Sequence, residues 1–327
     1  MDALRWRLIG HCRGGAVAAA IVAAAIAASA CRKDRESNPP PPPAVRAEIR
    51  ELSPAPGALA LPVKRGSIRF AVIGDSGRGS KAQFEVGAQM AAWRERFPFA
   101  FVLMLGDNIY DSHTPRDYQR KFEEPYRALL DAGVTFHAAI GNHDDPAQIF
   151  YGRFNMEGRR YYTFRKAEGV LEGIVGAGVR FFALDSRSFD VEQLRWLQEQ
   201  LGESGSAWKI CYFHHPLYTS GRYRAGARAL RLVLEPILVA GGVDVVLAGH
   251  EHIYERIYPQ QGITYFVSGA AGSLRKGDIR PSGLTARGFD QDYHFMLMEI
   301  SGNELYFQAI SRTGATVDAG VMTKADR

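Results

Sequence analysis

His250 and His252 stand one residue apart directly after the apolar run 243–248, in the stretch VVLAGHEHIYER. Alone, two histidines leaving a strand read as surface turn residues. Four further stretches change that reading. Apolar runs elsewhere stop at Gly74-Asp75-Ser76-Gly77, Gly106-Asp107-Asn108-Ile109-Tyr110, Gly141-Asn142-His143-Asp144 and His214-His215-Pro216. The side chains gathered at these ends include Asp75, Asp107, Tyr110, Asn142, His214, His250 and His252. Carboxylate, phenolate, amide and imidazole donors suit hard or borderline metal ions, not a thiolate zinc site. One ion cannot use seven such ligands, whereas two can when a carboxylate bridges them. Two ions about 4 Å apart clamp a phosphate and polarise a water between them.

Such ends need strands behind them. Residues 68–73, 99–105, 134–140, 209–213 and 243–248 are short, β-branched or aromatic, and bounded by glycine or polar turns. Between them, 82–97, 116–132, 191–202 and 225–240 carry apolar residues at helical spacing. Alternating strands and helices predict an α/β architecture whose site lies beyond the carboxyl ends of the strands. Residues 295–300 and 305–310, joined by Ser301-Gly302-Asn303, predict an antiparallel hairpin. The expected layout is a mixed sheet packed on a second sheet, with helices outside.

The chain has 327 residues, 46% hydrophobic and 23% charged, which is a globular composition. Its first thirty residues stand apart. Arg5, Arg7 and Arg13 precede the small apolar run 16–30, which is shorter than the roughly 20 residues a membrane-spanning helix needs. The run therefore reads as a secretory signal. Ala28-Ser29-Ala30-Cys31 resembles the lipobox of bacterial lipoproteins, with Ala28 where leucine is usual, and also satisfies an A-x-A cleavage site. Either way the expected location is outside the cytoplasm: a periplasmic or outer-membrane lipoprotein tethered through Cys31, or a secreted protein. Prolines 39–43, then Pro54 and Pro56, predict a semi-rigid spacer. The expected division is signal 1–30, spacer 31–66 and catalytic domain 67–327.

Of three cysteines only Cys211 lies in the expected domain, so no disulfide can form within it. Removing the three arginines and Asp2 of the first thirty residues lowers the formal charge from +5 to +3. That balance makes no electrostatic case for nucleic acid.

The five blocks, in this order, resemble the calcineurin-like metallophosphoesterases, and more narrowly the purple acid phosphatases of the tartrate-resistant type. The resemblance covers about 68–310 and rests on G-D-x-G, G-D-x-x-Y, G-N-H-D, a lone histidine before x-Pro, and G-H-x-H. Most of the wider superfamily has a histidine two residues after the first aspartate; here that residue is Gly77, and Tyr110 stands where the purple enzymes have their iron-bound tyrosine. The resemblance implies a four-layer α/β/β/α sandwich of two mixed sheets. It implies Asp75, Tyr110 and His252 on an Fe(III) ion, Asn142, His214 and His250 on a second, divalent ion (Fe, Zn or Mn), and Asp107 as the bridge. A metal-activated water would attack phosphorus. His143 would face the substrate and bind phosphate or protonate the leaving group, although nearby cations oppose holding that proton.

His214, and not His215, fits the ligand pattern, which leaves His215 beside the site. The place of a further substrate-facing histidine in many relatives is Tyr223, between Arg222 and Arg224. His215, Arg222 and Tyr223 are therefore the substrate-binding candidates, with an arginine supplying phosphate contact. His137 is expected to be packed, and His113 and His294 to lie on turns or the surface. Glu255 and Arg256 are expected to pin the histidine loop. The glycine-rich loop with Gly269, Gly272 and Gly277 lacks a P-loop lysine and at most borders the pocket. The expectation is an exported binuclear metal phosphatase for small phosphate monoesters. A phosphodiesterase with the same metals, or a tethered phosphate- or metal-binding protein without catalysis, are the alternatives.

Overall fold

The computed structural model describes residues 48–167, 178–280 and 282–324. The signal-like run, Cys31 and prolines 39–43 lie outside them. In chain order the first strands are β1 (Glu48–Glu51), β2 (Ile68–Ile73), β3 (Phe101–Met104), β4 (Thr135–Ala138), β5 (Tyr162–Lys166), β6 (Val179–Ala183) and β7 (Trp208–Phe213). Then come β8 (Val245–Ala248), β9 (Tyr254–Ile257), β10 (Thr264–Ser268), β11 (Thr285–Phe289), β12 (His294–Ser301), β13 (Glu304–Ser311) and β14 (Thr316–Thr323). One sheet runs β1-β14-β13-β12-β2-β3-β4 and the other β11-β9-β10-β8-β7-β6-β5. Parallel pairing is confined to β2-β3-β4 in the first and β6-β7-β8-β10 in the second.

Strand periodicity explains the layering. Phe181, Ile210, Tyr212 and Leu247 join the core shared with Phe70 and Phe101 of the first sheet. Their neighbours Phe182, Cys211, Phe213 and Val246 point the other way, into a cluster with Leu197 and Leu234 of the helices Val191–Gly202 and Arg224–Ala240. Aromatic contacts close the space between the sheets: Phe181 meets Phe70 and Phe101 edge-on at 5.3 and 5.4 Å, and Phe266 meets Phe307 at 5.0 Å. On the first sheet, helix Lys81–Arg96 is capped by Ser80 and buries Val86, Met90 and Trp93 at helical spacing. The result is the expected α/β/β/α sandwich.

Two boundaries differ from expectation. Residues 48–66 are not spacer: β1 pairs antiparallel with β14, Leu61 is buried, and the amides of Val63 and Lys64 donate to Glu299 at 2.8 and 2.5 Å. The folded body begins by residue 48. The sequence of β1, Glu-Ile-Arg-Glu, lacks an apolar alternation because an edge strand is held largely by its backbone ladder. The expected helix 116–132 is broken into Pro115–Tyr118, a π turn Gln119–Glu123 and Arg127–Asp131. Pro125 has no amide to donate and ends the ladder there.

His294 was expected on a turn or the surface but is fully buried. Its amide donates to Ala270 O at 3.0 Å as β12 begins, and its ring meets Ser268 Oγ at 3.0 Å. His137 packs as expected, stacked on Phe164 at 4.1 Å.

Candidate metal centre

The loops after β2, β3 and β4 and those after β7 and β8 meet at one edge of the sandwich and bring all seven donor residues together. His252 Nε2 lies 3.3 Å from Asp75 Oδ1 and 3.2 Å from the Tyr110 hydroxyl, which is itself 3.2 Å from Asp75 Oδ1. On the other side, His214 Nε2 lies 2.9 Å from Asn142 Oδ1, 3.1 Å from His250 Nδ1 and 3.4 Å from Asp107 Oδ1. Asp75, Asp107 and His214 place one donor atom each within 4.8 Å of the others. The side-chain contacts thus fall into two groups, linked by the His250 amide on Asp75 Oδ2.

Three of these residues lie on left-handed backbone. Asp75, Asp107 and His250 have φ of 54°, 53° and 68°, a left-handed region that non-glycine residues seldom occupy. Local bonds hold them in it. Asp75 Oδ2 accepts the His250 amide at 2.7 Å, and Asp75 N donates to Gly106 O at 3.0 Å. Gly77 explains how Tyr110 enters. Its carbonyl accepts the Tyr110 amide at 2.9 Å, and a Cβ at this position would collide with the Asn108 backbone. A histidine at 77 and this course of the tyrosine loop are therefore sterically exclusive.

Burial sets the protonation states. It is the main cause lifting the Asp75 carboxyl well above its usual range, with Asp107 adding to it. It is also the main cause pushing His252 down to about 3, helped by Arg275, and His250 down to about 2, helped by His214. His214 is driven down by burial and then by His215, and Tyr110 up by burial and then by Asp75. The imidazoles are accordingly neutral acceptors, as metal ligation requires. His214 Nδ1 faces Leu105 O at 3.0 Å, which places the ring proton there and leaves Nε2 as a lone pair. That lone pair faces the Asn142 carbonyl oxygen. Two acceptors converging at 2.9 Å beside two buried carboxylates fit a cation.

The residues around this cluster redistribute several expected roles. His143 is exposed; its amide donates to Asp107 Oδ1 at 2.9 Å and its ring lies 4.8 Å from that of Tyr110. Asp144 does not meet the His143 ring. It accepts from the amides of Ile109 and Gly141 and the side chains of Asn108 and Gln148, tying the third loop to the second. His215 sits beside His250 at 4.4 Å between ring centroids, with Nδ1 2.9 Å from Ser186 Oγ. Ser186 also accepts the His215 amide at 2.9 Å, and ring nitrogens of His214, His215 and His250 lie within 4.8 Å of one another, so His215 stands beside the cluster.

Arg222 corrects the expectation of a phosphate-binding arginine next to Tyr223: it is paired with Asp278 at 3.2 Å. Arg224 donates to the carbonyls of Gly221 and Ser220. Tyr223 does reach the site, its ring 4.4 Å from that of His250. Arg78 and Arg275, which the motifs did not single out, are the guanidinium groups nearest the ligands. Arg78 lies over the Tyr110 ring at 3.5 Å, and the Arg275 amide donates to His252 O at 3.0 Å. Nor do Glu255 and Arg256 pin the histidine loop directly. Glu255 accepts from Ser220 and Thr285, and Arg256 pairs with Asp318 and Glu51. The glycine-rich loop borders the site, since Ala271 N donates to Gly74 O and Gly269 N to Ile253 O.

Residues 68–254 match the family model of the calcineurin-like phosphoesterases. Purple acid phosphatase 17 of Arabidopsis thaliana is 28% identical over 252 residues, 66% of this chain and 72% of its own length. The human tartrate-resistant acid phosphatase type 5 is 24% identical over 293 residues, 77% of this chain and 89% of its own. Among solved structures, GAP50, described as the anchor in the inner membrane complex of Plasmodium, superposes with a TM-score of 0.72 at 20% identity, covering 80% of this chain and 90% of that one. Purple acid phosphatase PPD1 from yellow lupin gives 0.64 at 16% identity, over 80% of this chain and 55% of that one. The motifs, the fold and the match over more than half the chain agree: this protein belongs to the calcineurin-like phosphoesterases, a family of phosphoric ester hydrolases, and within it is similar to the purple acid phosphatases.

Proposed function

We propose that this protein is an exported phosphatase that hydrolyses small phosphate monoesters at a binuclear metal centre. The observation that carries the reading is the convergence of seven oxygen and nitrogen donor residues, two of them buried carboxylates and three on left-handed backbone. Asp75, Tyr110 and His252 would hold Fe(III); Asn142, His214 and His250 the divalent ion, Fe, Zn or Mn; Asp107 would serve both. Anionic oxygens favour the harder ion on the first side, and neutral amide and imidazoles keep the other divalent. When bound, the ions supply the positive charge that draws in phosphate and activates water. His143, exposed beside Tyr110, is placed to donate to a phosphate oxygen, and His215 stands beside the cluster.

The anchoring role of GAP50 suits the non-catalytic alternative, but likeness at 20% identity carries the fold alone. The complete donor set with His143 favours catalysis. Metal analysis beside turnover of 4-nitrophenyl phosphate and of bis(4-nitrophenyl) phosphate tests the reading. Metal content with faster monoester turnover is expected. Diester preference assigns a phosphodiesterase, and metal without turnover of either ester assigns a binding protein.

Colour tests the iron. A phenolate on Fe(III) absorbs visible light by charge transfer, so the oxidised protein is expected to be violet to pink. Tyr110→Phe is expected to abolish the band while retaining the second metal. A colourless, fully active, iron-free enzyme assigns the site to manganese or zinc. Export and a lipid tether rest on residues 1–31 alone. Lipid label is expected on the wild type and not on Cys31→Ser; label unaffected by that substitution leaves a plain signal peptide.

A further inference from the structure

The loop 269–277 carries an arginine that the motifs leave without a role. Arg275 is held against the histidine loop at both ends: its amide donates to His252 O at 3.0 Å and Nη1 to His250 O at 3.4 Å. The guanidinium lies over the Tyr223 ring at 5.1 Å, with Nη2 3.5 Å from the Tyr223 hydroxyl. That ring is the one packed on His250. Under the guanidinium lies Glu251, fully buried, whose Oε1 accepts the Tyr223 amide at 2.6 Å and whose Oε2 is 3.7 Å from Arg275 Nη1 with no hydrogen-bond partner.

Glu251, between the two ligand histidines, thus anchors both Tyr223 and Arg275 to the centre. The side-chain contacts of Arg275 are all 3.4 Å or longer. A guanidinium has five N–H donors in a planar fork, so most of its capacity for an anion is unspent. Arg222, by contrast, is engaged with Asp278 through Nε and Nη2. The position is also particular. Arg275 stands on the His250 and Tyr223 side, where many relatives have a second histidine, and it cannot give up a proton at ordinary pH. A permanent cation there suits a leaving group that carries its own negative charge and has little need of protonation.

Resting on the phosphatase reading, the geometry points to Arg275 as a specificity-determining residue. It binds the second phosphoryl group of a substrate whose leaving group is itself a phosphate, as in a phosphoanhydride, while Tyr223 forms the wall beside it. Hydrolysis of the simplest such compound, pyrophosphate, adds one water across the P–O–P bond and yields two orthophosphates. The departing oxygen leaves as part of an anion that Arg275 stabilises.

The test is calorimetric binding of pyrophosphate and of orthophosphate to metal-loaded protein, with kcat/KM for pyrophosphate and 4-nitrophenyl phosphate measured beside it. Wild type is expected to bind pyrophosphate at least about 10-fold more tightly than orthophosphate. Arg275→Met is expected to erase that margin, with metal content unchanged and orthophosphate affinity within about 3-fold; Arg275→Lys is expected to keep part of it. Because Met strands the Glu251 carboxylate, Arg275→Met is also made with Glu251→Gln, which keeps the bond to the Tyr223 amide. A margin unchanged in Arg275→Met, or both affinities falling equally, overturns the proposal. Inactivity of the wild type on both pyrophosphate and 4-nitrophenyl phosphate defeats the phosphatase reading instead, and the binding ratio still decides the role of Arg275.

Discussion

Asp107→Asn is expected to lose both metals and activity together, by on the order of 10³-fold or more in kcat/KM. Asp107 is the carboxylate that stands near both donor sets: Oδ1 is 3.4 Å from His214 Nε2, and donor atoms of Asp75, Asp107 and His214 lie within 4.8 Å of one another. An amide keeps the shape and tolerates φ of 53° but removes the charge that both ions would share. The same substitution is expected to act with opposite sign on the metal-free protein. There, Asp75 and Asp107 lie buried together, and burial first and the Asp107 charge second raise the Asp75 carboxyl. Removing one charge relieves that repulsion, so metal-free Asp107→Asn is expected to melt above metal-free wild type by roughly 1–2 kcal/mol of stability. Added metal is expected to stabilise the wild type and not the variant. Retention of both ions by Asp107→Asn, or a lower melting temperature without metal, denies Asp107 the bridging place.

The convergence of the candidate donors was legible because each closes a buried strand, and strand ends of parallel sheets are where a chain can gather residues distant in sequence. Gly-Asp and Gly-Asn pairs marked those ends, and the left-handed backbone of Asp75 and Asp107 shows why small polar residues stand there. Residues whose role depends on crossing loops were not legible. Arg275 is one of several loop arginines until the chain returns from β10 and lays it over Tyr223. Asp144 reads as part of the substrate motif, yet it accepts from Asn108 and Ile109 of the neighbouring loop, from Gly141 of its own loop and from Gln148. Two of the strands that alternation missed have their own reasons. β11 has no buried residue and includes Gly288, while β1 is charged and lies at an edge. Neither has the half-buried pattern on which strand prediction rests. His294 misled for a similar reason: its burial comes from the sheet partners of β12 and not from its own neighbours in sequence.

His143→Ala is expected to keep both metals and lose on the order of 10²-fold in kcat/KM. The structure separates the two effects, since His143 reaches Asp107 through its backbone amide, which alanine retains, and not through the ring. What alanine removes is an exposed imidazole next to Tyr110, the group placed to meet a phosphate oxygen. The dependence on leaving group then identifies its chemistry. If the ring protonates the departing oxygen, the loss shrinks for aryl phosphates with good leaving groups. If it only binds phosphate, the loss is the same across the series. With Tyr223 where relatives have a second histidine, His143 is expected to carry some of the proton transfer, and a small residual slope is the expected result. The measurement is kcat/KM of wild type, His143→Ala and Asp107→Asn across aryl phosphates of graded leaving-group pKa, with metal content determined for each. If His143→Ala sheds its metals as Asp107→Asn is expected to, the ring is holding the centre together; if every rate is untouched, it does not face the substrate.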